Sequence, residues 1–226
     1  MNGILVLDKP AGISSTRAVT QIKRLMPRGT KIGHAGTLDP FATGVLLLLL
    51  GKSTKLCEPL MDEPKQYEAT LKFGANTDTD DLDSPEQPRP VQSIPSIDQI
   101  EISLQSFVGE IQQRPPVYSA LKIGGKRACD LVRAGREVRL EPRTVKVYGI
   151  TTLHFAWPLL SLRIDCGRGT YIRSIARELG DVLAVGGYLT QLRRTRIGPF
   201  GVGECVTIED VTREGVEGHL KAYHPV

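Results

Sequence analysis

Gly33-His34-Ala35-Gly36-Thr37-Leu38-Asp39-Pro40-Phe41-Ala42-Thr43-Gly44-Val45-Leu46, running on into Leu47-Leu48-Leu49-Leu50, is the stretch from which the rest of this chain can be read. Its first fourteen residues hold three glycines, one histidine, one carboxylate and one proline. Glycine at this density marks a backbone that turns tightly or approaches a ligand closely. Asp39 precedes Pro40, which steers it away from the helical region. The apolar run Val45–Leu50 reads as a buried strand behind the loop, a rigid support for a functional segment. Gly51-Lys52-Ser53 looks like the end of a phosphate-binding loop. That motif needs a glycine where Leu46 stands, and a leucine run offers no row of flexible amides. Asp39 also lacks a second carboxylate two residues on, because Phe41 is there. Magnesium-assisted phosphoryl transfer therefore loses its support.

The composition of the 226 residues is that of ordinary globular material, 40% hydrophobic and 24% charged. The run Val45–Leu50 is too short to cross a bilayer. The N-terminus has neither a basic region nor a long apolar core, so no signal peptide is expected. Cys57, Cys129, Cys166 and Cys205 lie far apart with no zinc-ligand spacing. The four histidines form no cluster, and a reduced cytoplasmic protein without metal is expected.

Charge is segregated along the chain. Residues 114–146 carry nine Lys/Arg against three acids, whereas residues 62–110 carry eleven acids against three bases. Residues 163–196 carry seven arginines against three acids. Such blocks suit a stripe that binds a polyanion.

Periodicity predicts a strand over 3–8, then a helix capped by Ser14 or Ser15 with Ala18, Val19, Ile22 and Leu25 on its apolar side. Further helices are expected over 54–60, 97–107, 126–134 and 171–183. Strands are expected over 65–73, 145–155, 159–166 and 188–197, with an exposed loop over 76–90. Strands and helices mix without regular alternation. The expected fold is therefore α+β, a mixed and mostly antiparallel sheet with flanking helices. No internal repeat or linker appears, so residues 1–226 are read as a single domain with a basic insertion at about 114–146.

The fourteen-residue string closely resembles the catalytic motif of the TruB family of tRNA pseudouridine synthases. Asp8-Lys9-Pro10-Ala11-Gly12-Ile13-Ser14-Ser15 is similar to the family's first motif. Lys65-Gln66-Tyr67-Glu68-Ala69 resembles the motif carrying the active-site tyrosine. Cys166-Gly167-Arg168-Gly169-Thr170-Tyr171-Ile172-Arg173 resembles the motif whose arginine pairs with the nucleophile. Leu192-Arg193-Arg194 followed by Gly198-Pro199-Phe200 is similar to the element closing the base pocket.

The resemblance implies the pseudouridine synthase fold and an isomerase acting, without cofactor, on the T-loop uridine (position 55) of tRNA. Asp39 is implied as the nucleophile, Tyr67 as the residue that stacks on uracil and serves proton transfer, and Arg173 as the cation keeping the nucleophile ionised. Tyr171 and Leu192 would line the pocket, and His34 would fill the space left by the flipped nucleotide. Lys9, Lys122, Lys126 and Arg127 are implied to bind substrate, the last three within a mobile RNA-gripping insertion around Gly124-Gly125.

Two departures stand out. Cys129 replaces a frequent tyrosine, and the chain reads as a short form without the C-terminal PUA-type RNA-binding domain. The partner expected is the T-stem-loop of tRNA, bound by a monomer, with no membrane. Two other readings stay open at this point: a tRNA folding chaperone, and the catalytic subunit of a guide-RNA-dependent complex.

Overall fold

The computed structural model describes residues 1–119 and 121–223. In chain order the elements are β1 (Gly3–Lys9), α1 (Ser15–Lys23), β2 (Ile32–Ala35), β3 (Thr43–Leu50), a 3-10 segment (Gly51–Leu56), α2 (Cys57–Asp62), β4 (Lys65–Phe73), β5 (Ala75–Asn76) and β6 (Gln87–Pro88). There follow α3 (Ile97–Gln105), β7 (Gly109–Gln113), β8 (Lys122–Ile123), β9 (Lys126–Arg127), α4 (Ala128–Arg133), β10 (Arg143–Ala156) and β11 (Leu159–Cys166). The chain continues through α5 (Ile172–Val182), β12 (Gly187–Ile197), β13 (Phe200–Gly201), α6 (Ile208–Glu214) and β14 (Leu220–Lys221). This is the mixed α+β architecture expected, with largely antiparallel pairing. The chain groups into two compact units, Met1–Glu68 with Gln191–Val226, and Ala69–Thr190. Strands β4 and β12 each contribute residues to both.

In the first unit the strand order is β14-β1-β3-β12-β4, with β2 also pairing β3 and β13 pairing β12. β1 and β2 run antiparallel to β3, while β12 runs parallel to it with Arg194 opposite Gly44. The leucine run shows no alternation because both faces of β3 are covered. Leu46, Leu48 and Leu50 join Leu5, Leu7, Ala18, Ile22 and Val211 in one cluster. Val45, Leu47 and Leu49 join Ile4, Val6, Ala35 and Leu60 in another. Each of these strand side chains is at most 1% exposed, and burial of a residue of this size contributes roughly 1.5–3 kcal/mol. Ser14 caps α1 by accepting from the Arg17 amide at 3.1 Å.

The second unit carries the order β12-β4-β11-β10-β7. Leu160, Leu162, Ile164 and Cys166 alternate inward along β11, and Ile175, Ala176 and Leu179 form the buried stripe of α5. α3 opens with a capping box between Ser96 and Gln99.

Several local expectations are corrected. Residues Ile32–Ala35 form a strand hydrogen-bonded to β3, so the loop proper shrinks to residues 36–42. The expected helix over 54–60 divides into the 3-10 segment and α2. The stretch 76–90 is not simply exposed. Thr77, Thr79, Asp80 and Asp81 are buried, because both threonine hydroxyls donate to the Asp81 carbonyl, the Asp81 carboxylate accepts from the Asp83 amide, and Asp80 pairs with Arg177. The basic excursion is preceded by a strand, since β7 continues to Gln113. The helix expected over 126–134 begins only at Ala128, because Lys126–Arg127 pairs with Lys122–Ile123 in a hairpin. Gly124 and Gly125 sit at φ 55° and 84°, the positive values that a two-residue hairpin turn of this hand requires.

Candidate active site

The loop carrying Asp39 is held by its backbone. Each carbonyl from Gly36 to Pro40 accepts a hydrogen bond. Arg194 Nη2 donates to Gly36 at 3.1 Å and Nη1 to Thr37 at 3.5 Å. Ser15 Oγ donates to the Leu38 carbonyl at 3.0 Å and accepts from the Leu38 amide at 2.8 Å. The Ala42 amide donates to Asp39 at 3.1 Å, closing a turn, and the Gly12 amide donates to Pro40 at 2.9 Å. With these five carbonyls held, the partly exposed Asp39 side chain is presented on a fixed frame.

Lys9 and Arg194 are the cations of this frame. Lys9 lies at the end of β1, 0% exposed. Its ammonium donates to Pro10 and Ile13 carbonyls, each at 2.8 Å, and to Pro40 at 3.2 Å. Those bonds use all three of its protons. Burial pulls the Lys9 ammonium down to about 8 from its ordinary 10.5. Asp39 opposes this by attraction, and Arg194 adds repulsion. The attraction is mutual, so Lys9 favours an ionised Asp39.

Arg194 is 1% exposed, and its Nε donates to the Val45 carbonyl at 2.8 Å. Together with the bonds to Gly36 and Thr37, one guanidinium therefore grips the chain on both sides of Asp39. A side chain at position 44 is incompatible with this packing. Gly44 has φ 98°, and a Cβ there would lie 2.2 Å from the Arg194 carbonyl. Arg193 points to the other face of β12 and forks onto Asp8, at 3.1 and 2.7 Å.

Tyr67 on β4 is 9% exposed. Its hydroxyl is 3.5 Å from Arg194 Nη1, and the guanidinium carbon lies 6.0 Å from its ring centroid. Leu192, 8% exposed, shares the inward face of β12 with Arg194. His34 stands on β2 opposite Leu48, where burial holds its imidazole below the ordinary 6.5. Arg194 pushes the same way, and the Gly36 backbone opposes. Asp39, Tyr67, Leu192, His34 and Lys9 thus all lie in the first unit.

Arg173 and Tyr171 lie in the second unit. Tyr171 caps α5, and Gln113 holds its backbone from both sides, accepting from its amide at 2.8 Å and donating to its carbonyl at 3.1 Å. Arg173, in the first turn of α5 and 4% exposed, meets Asp81 at 3.2 Å. It also donates to the carbonyls of Thr79 at 2.9 Å and Tyr118 at 3.1 Å. The Asp81 carboxylate in turn accepts from the Asp83 amide at 2.9 Å.

In the basic insertion Lys122 and Lys126 are exposed and border a cleft of about 510 Å³ with Asp130 and Arg136. The Arg127 backbone belongs to β9, and its side chain lies outside the described residues. Arg194, Ser15 and Asp81 were given no site role by the sequence. Arg194 stood in the Leu192-Arg193-Arg194 motif and Ser15 in the first motif and as a candidate helix cap, whereas Asp81 gave no signal. Among the described residues no group of three or more His, Cys, Asp or Glu could hold a metal ion. Nor is any helix there long and apolar enough to cross a membrane.

A model of the TruB family pseudouridylate synthase N-terminal domain matches residues 23–172. A model of the tRNA pseudouridylate synthase B C-terminal domain matches residues 173–222. tRNA pseudouridine synthase B of Xanthomonas campestris pv. campestris (strain 8004) is 44% identical over 214 residues, covering 94% of this chain and 68% of that protein. The enzyme of the same name from Aromatoleum aromaticum is 42% identical over 229 residues, covering 100% of this chain and 73% of the relative. Among solved structures, a chain of a Cbf5-Nop10-Gar1 complex superposes with a TM-score of 0.72 at 31% identity. It covers 96% of this chain, which spans 57% of that neighbour's length. The anchored Asp39 loop, the tyrosine and arginine motifs in order, and these matches lead to one conclusion: the chain belongs to the TruB family of pseudouridylate synthases.

Proposed function

We propose that this chain isomerises the T-loop uridine of tRNA to pseudouridine, with Asp39 as nucleophile. The observation that carries the reading is the Asp39 frame, in which five successive carbonyls, Gly36 to Pro40, are hydrogen-bonded. Such anchoring holds a nucleophile at attack geometry without reorganisation during reaction. The bond from ribose C1′ to uracil N1 breaks and one to C5 forms. C5 gives up a proton and N1 gains one, so substrate and product are isomers. In this reading Tyr67, next to Arg194, stacks on uracil and serves the transfer of the C5 proton.

We assign Arg173 the role its motif implies, the cation serving the nucleophile. Support comes from its own surroundings, where Asp81 and two carbonyls hold the guanidinium in one orientation. Tyr171 and Leu192 remain pocket residues in this reading. His34, whose imidazole burial holds below its ordinary value, is read as the group that fills the space left by the flipped nucleotide. Lys9 we place among the loop-holding residues rather than the RNA contacts, because its three protons are committed to carbonyls. Lys122, Lys126 and Arg127 are read as phosphate contacts. The two units together are read as one catalytic domain, acting as a monomer in the cytoplasm.

The structural neighbour in the Cbf5-Nop10-Gar1 complex favours a guide-RNA-dependent reading as the second possibility, with weaker identity (31% against 44%). Incubating the purified chain with unmodified tRNA transcript and mapping pseudouridine decides between them. Modification of the T-loop without added RNA or protein is expected. A requirement for a guide RNA supports the second reading.

A further inference from the structure

The stretch from Pro10 to Cys57 holds seven Lys/Arg and a single acid, Asp39. Arg17, Lys23, Arg24, Arg28, Lys31, Lys52 and Lys55 are all exposed. Lys23 and Lys31, with Gly29, Thr30, Gly33 and Thr54, line an open cleft of about 530 Å³ between the end of α1, the start of β2 and the 3-10 segment. Among the described residues none of Lys23, Arg24, Arg28 and Lys31 is paired with a carboxylate. Helix α6 packs against α1 through Val211, Ala18 and Ile22, on the opposite, apolar side of α1. Its Asp210 and Glu214 are already engaged by Arg213. An exposed cluster of unpaired cations repels itself, and folding alone gives no reason to assemble it. It gains free energy when phosphates replace its counterions.

We infer that this cleft is a second contact for the RNA phosphate backbone, separate from the basic insertion of the other unit. Placement within the first unit says which part of the RNA reaches it. The cleft lies at the far end of β3, where the Gly51 amide bonds the Lys31 carbonyl at 2.8 Å, while the Asp39 loop lies at the near end. Eight strand residues extend roughly 25 Å. Phosphates flanking the target uridine cannot span that length, so the cleft takes phosphates of the stem. This inference rests on the proposed RNA substrate.

The test uses the full chain and two RNAs with the same target loop, one on a minimal stem and one on a stem lengthened by a helical turn. Dissociation constants are measured against KCl for the wild type, for Lys23→Ala/Arg28→Ala/Lys31→Ala, and for the charge-keeping Lys23→Arg/Lys31→Arg. On the long stem the alanine variant is expected to lose about two to three units of the log–log salt slope, at about 0.7 to 0.9 for each phosphate neutralised. On the minimal stem its slope equals that of the wild type. The arginine variant keeps the full slope, and the single-turnover rate at saturating RNA is unchanged in both. Wild-type slope in the alanine variant on the long stem overturns the inference and leaves the face to a different, acidic partner. Equal loss on both RNAs overturns the stem placement. If the wild type binds with the expected slopes but forms no pseudouridine, the proposed function fails and the contact stands.

Discussion

Replacing Arg194 by methionine keeps the apolar stem and removes every donor. The carbonyls of Val45 and Gly36 lose bonds of 2.8 and 3.1 Å, and Thr37 and the Tyr67 hydroxyl lose weaker ones at 3.5 Å. Each hydrogen bond to a charged group contributes about 1.5–3 kcal/mol, partly offset because a 1% exposed cation no longer has to be desolvated. The net expected loss is about 2–4 kcal/mol, a fall in Tm of about 5–15 °C for a chain of this length. The catalytic loss is separate. A loop freed at Gly36 and Val45 lets Asp39 drift, and a displacement of about 1 Å costs on the order of 100-fold in rate. Because Arg194 is enclosed, RNA affinity should hold within about twofold, a change of less than about 0.5 kcal/mol. The assay is single-turnover pseudouridine formation at saturating RNA, well below the measured Tm. Arg194→Lys, which restores one point donor but not the fork, should fall between the two. A wild-type rate in Arg194→Met, even with a lowered Tm, would refute the claim that this residue positions the nucleophile.

Three further outcomes are expected. Asp81→Asn leaves Arg173 buried beside a neutral amide and should destabilise the fold by about 3–5 kcal/mol, read by urea unfolding; a change below about 1 kcal/mol would make that pair incidental. Lys9 binds its proton less tightly folded than unfolded, so the unfolded chain carries more protons between about pH 8 and 10.5. Wild-type stability relative to Lys9→Met should therefore rise with pH across that window, and a flat or falling difference contradicts it. Replacing Lys122, Lys126 and Arg127 by alanine should lower the salt slope of RNA binding by about 0.7–0.9 for each phosphate no longer neutralised, with the single-turnover rate at saturation intact; an unchanged slope would make the insertion a solvated face.

What could be read in the sequence was what local chemistry dictates. The strands over 3–8, 65–73 and 159–166, the helix after Ser14 and the helix beginning at Ile172 follow from apolar spacing and caps. The Asp39 loop showed itself through its glycines. Less visible were features decided by partners distant in the chain. Ile32–Ala35 is too short and too polar to read as a strand, and becomes one only because β3 offers its edge. Asp81 sits in a polar, proline-rich stretch that reads as exposed. Its burial depends on Arg173, 92 positions away in the sequence. The motif holding Lys9 implies a substrate-binding residue and gives no sign of the three carbonyls that surround its ammonium. Arg193 and Arg194 look equivalent in sequence, yet strand alternation sends one to Asp8 and buries the other behind Asp39.

The central claim is that Asp39 is the nucleophile of a uridine isomerisation. Its most direct measurement is pseudouridine mapping on one T-stem-loop RNA, incubated in parallel with the wild type and with Asp39→Asn. The amide keeps the shape of the carboxylate and lacks its charge. Pseudouridine at the target uridine with the wild type, and none with Asp39→Asn despite comparable RNA binding, is the expected result. Turnover retained by Asp39→Asn would contradict the account.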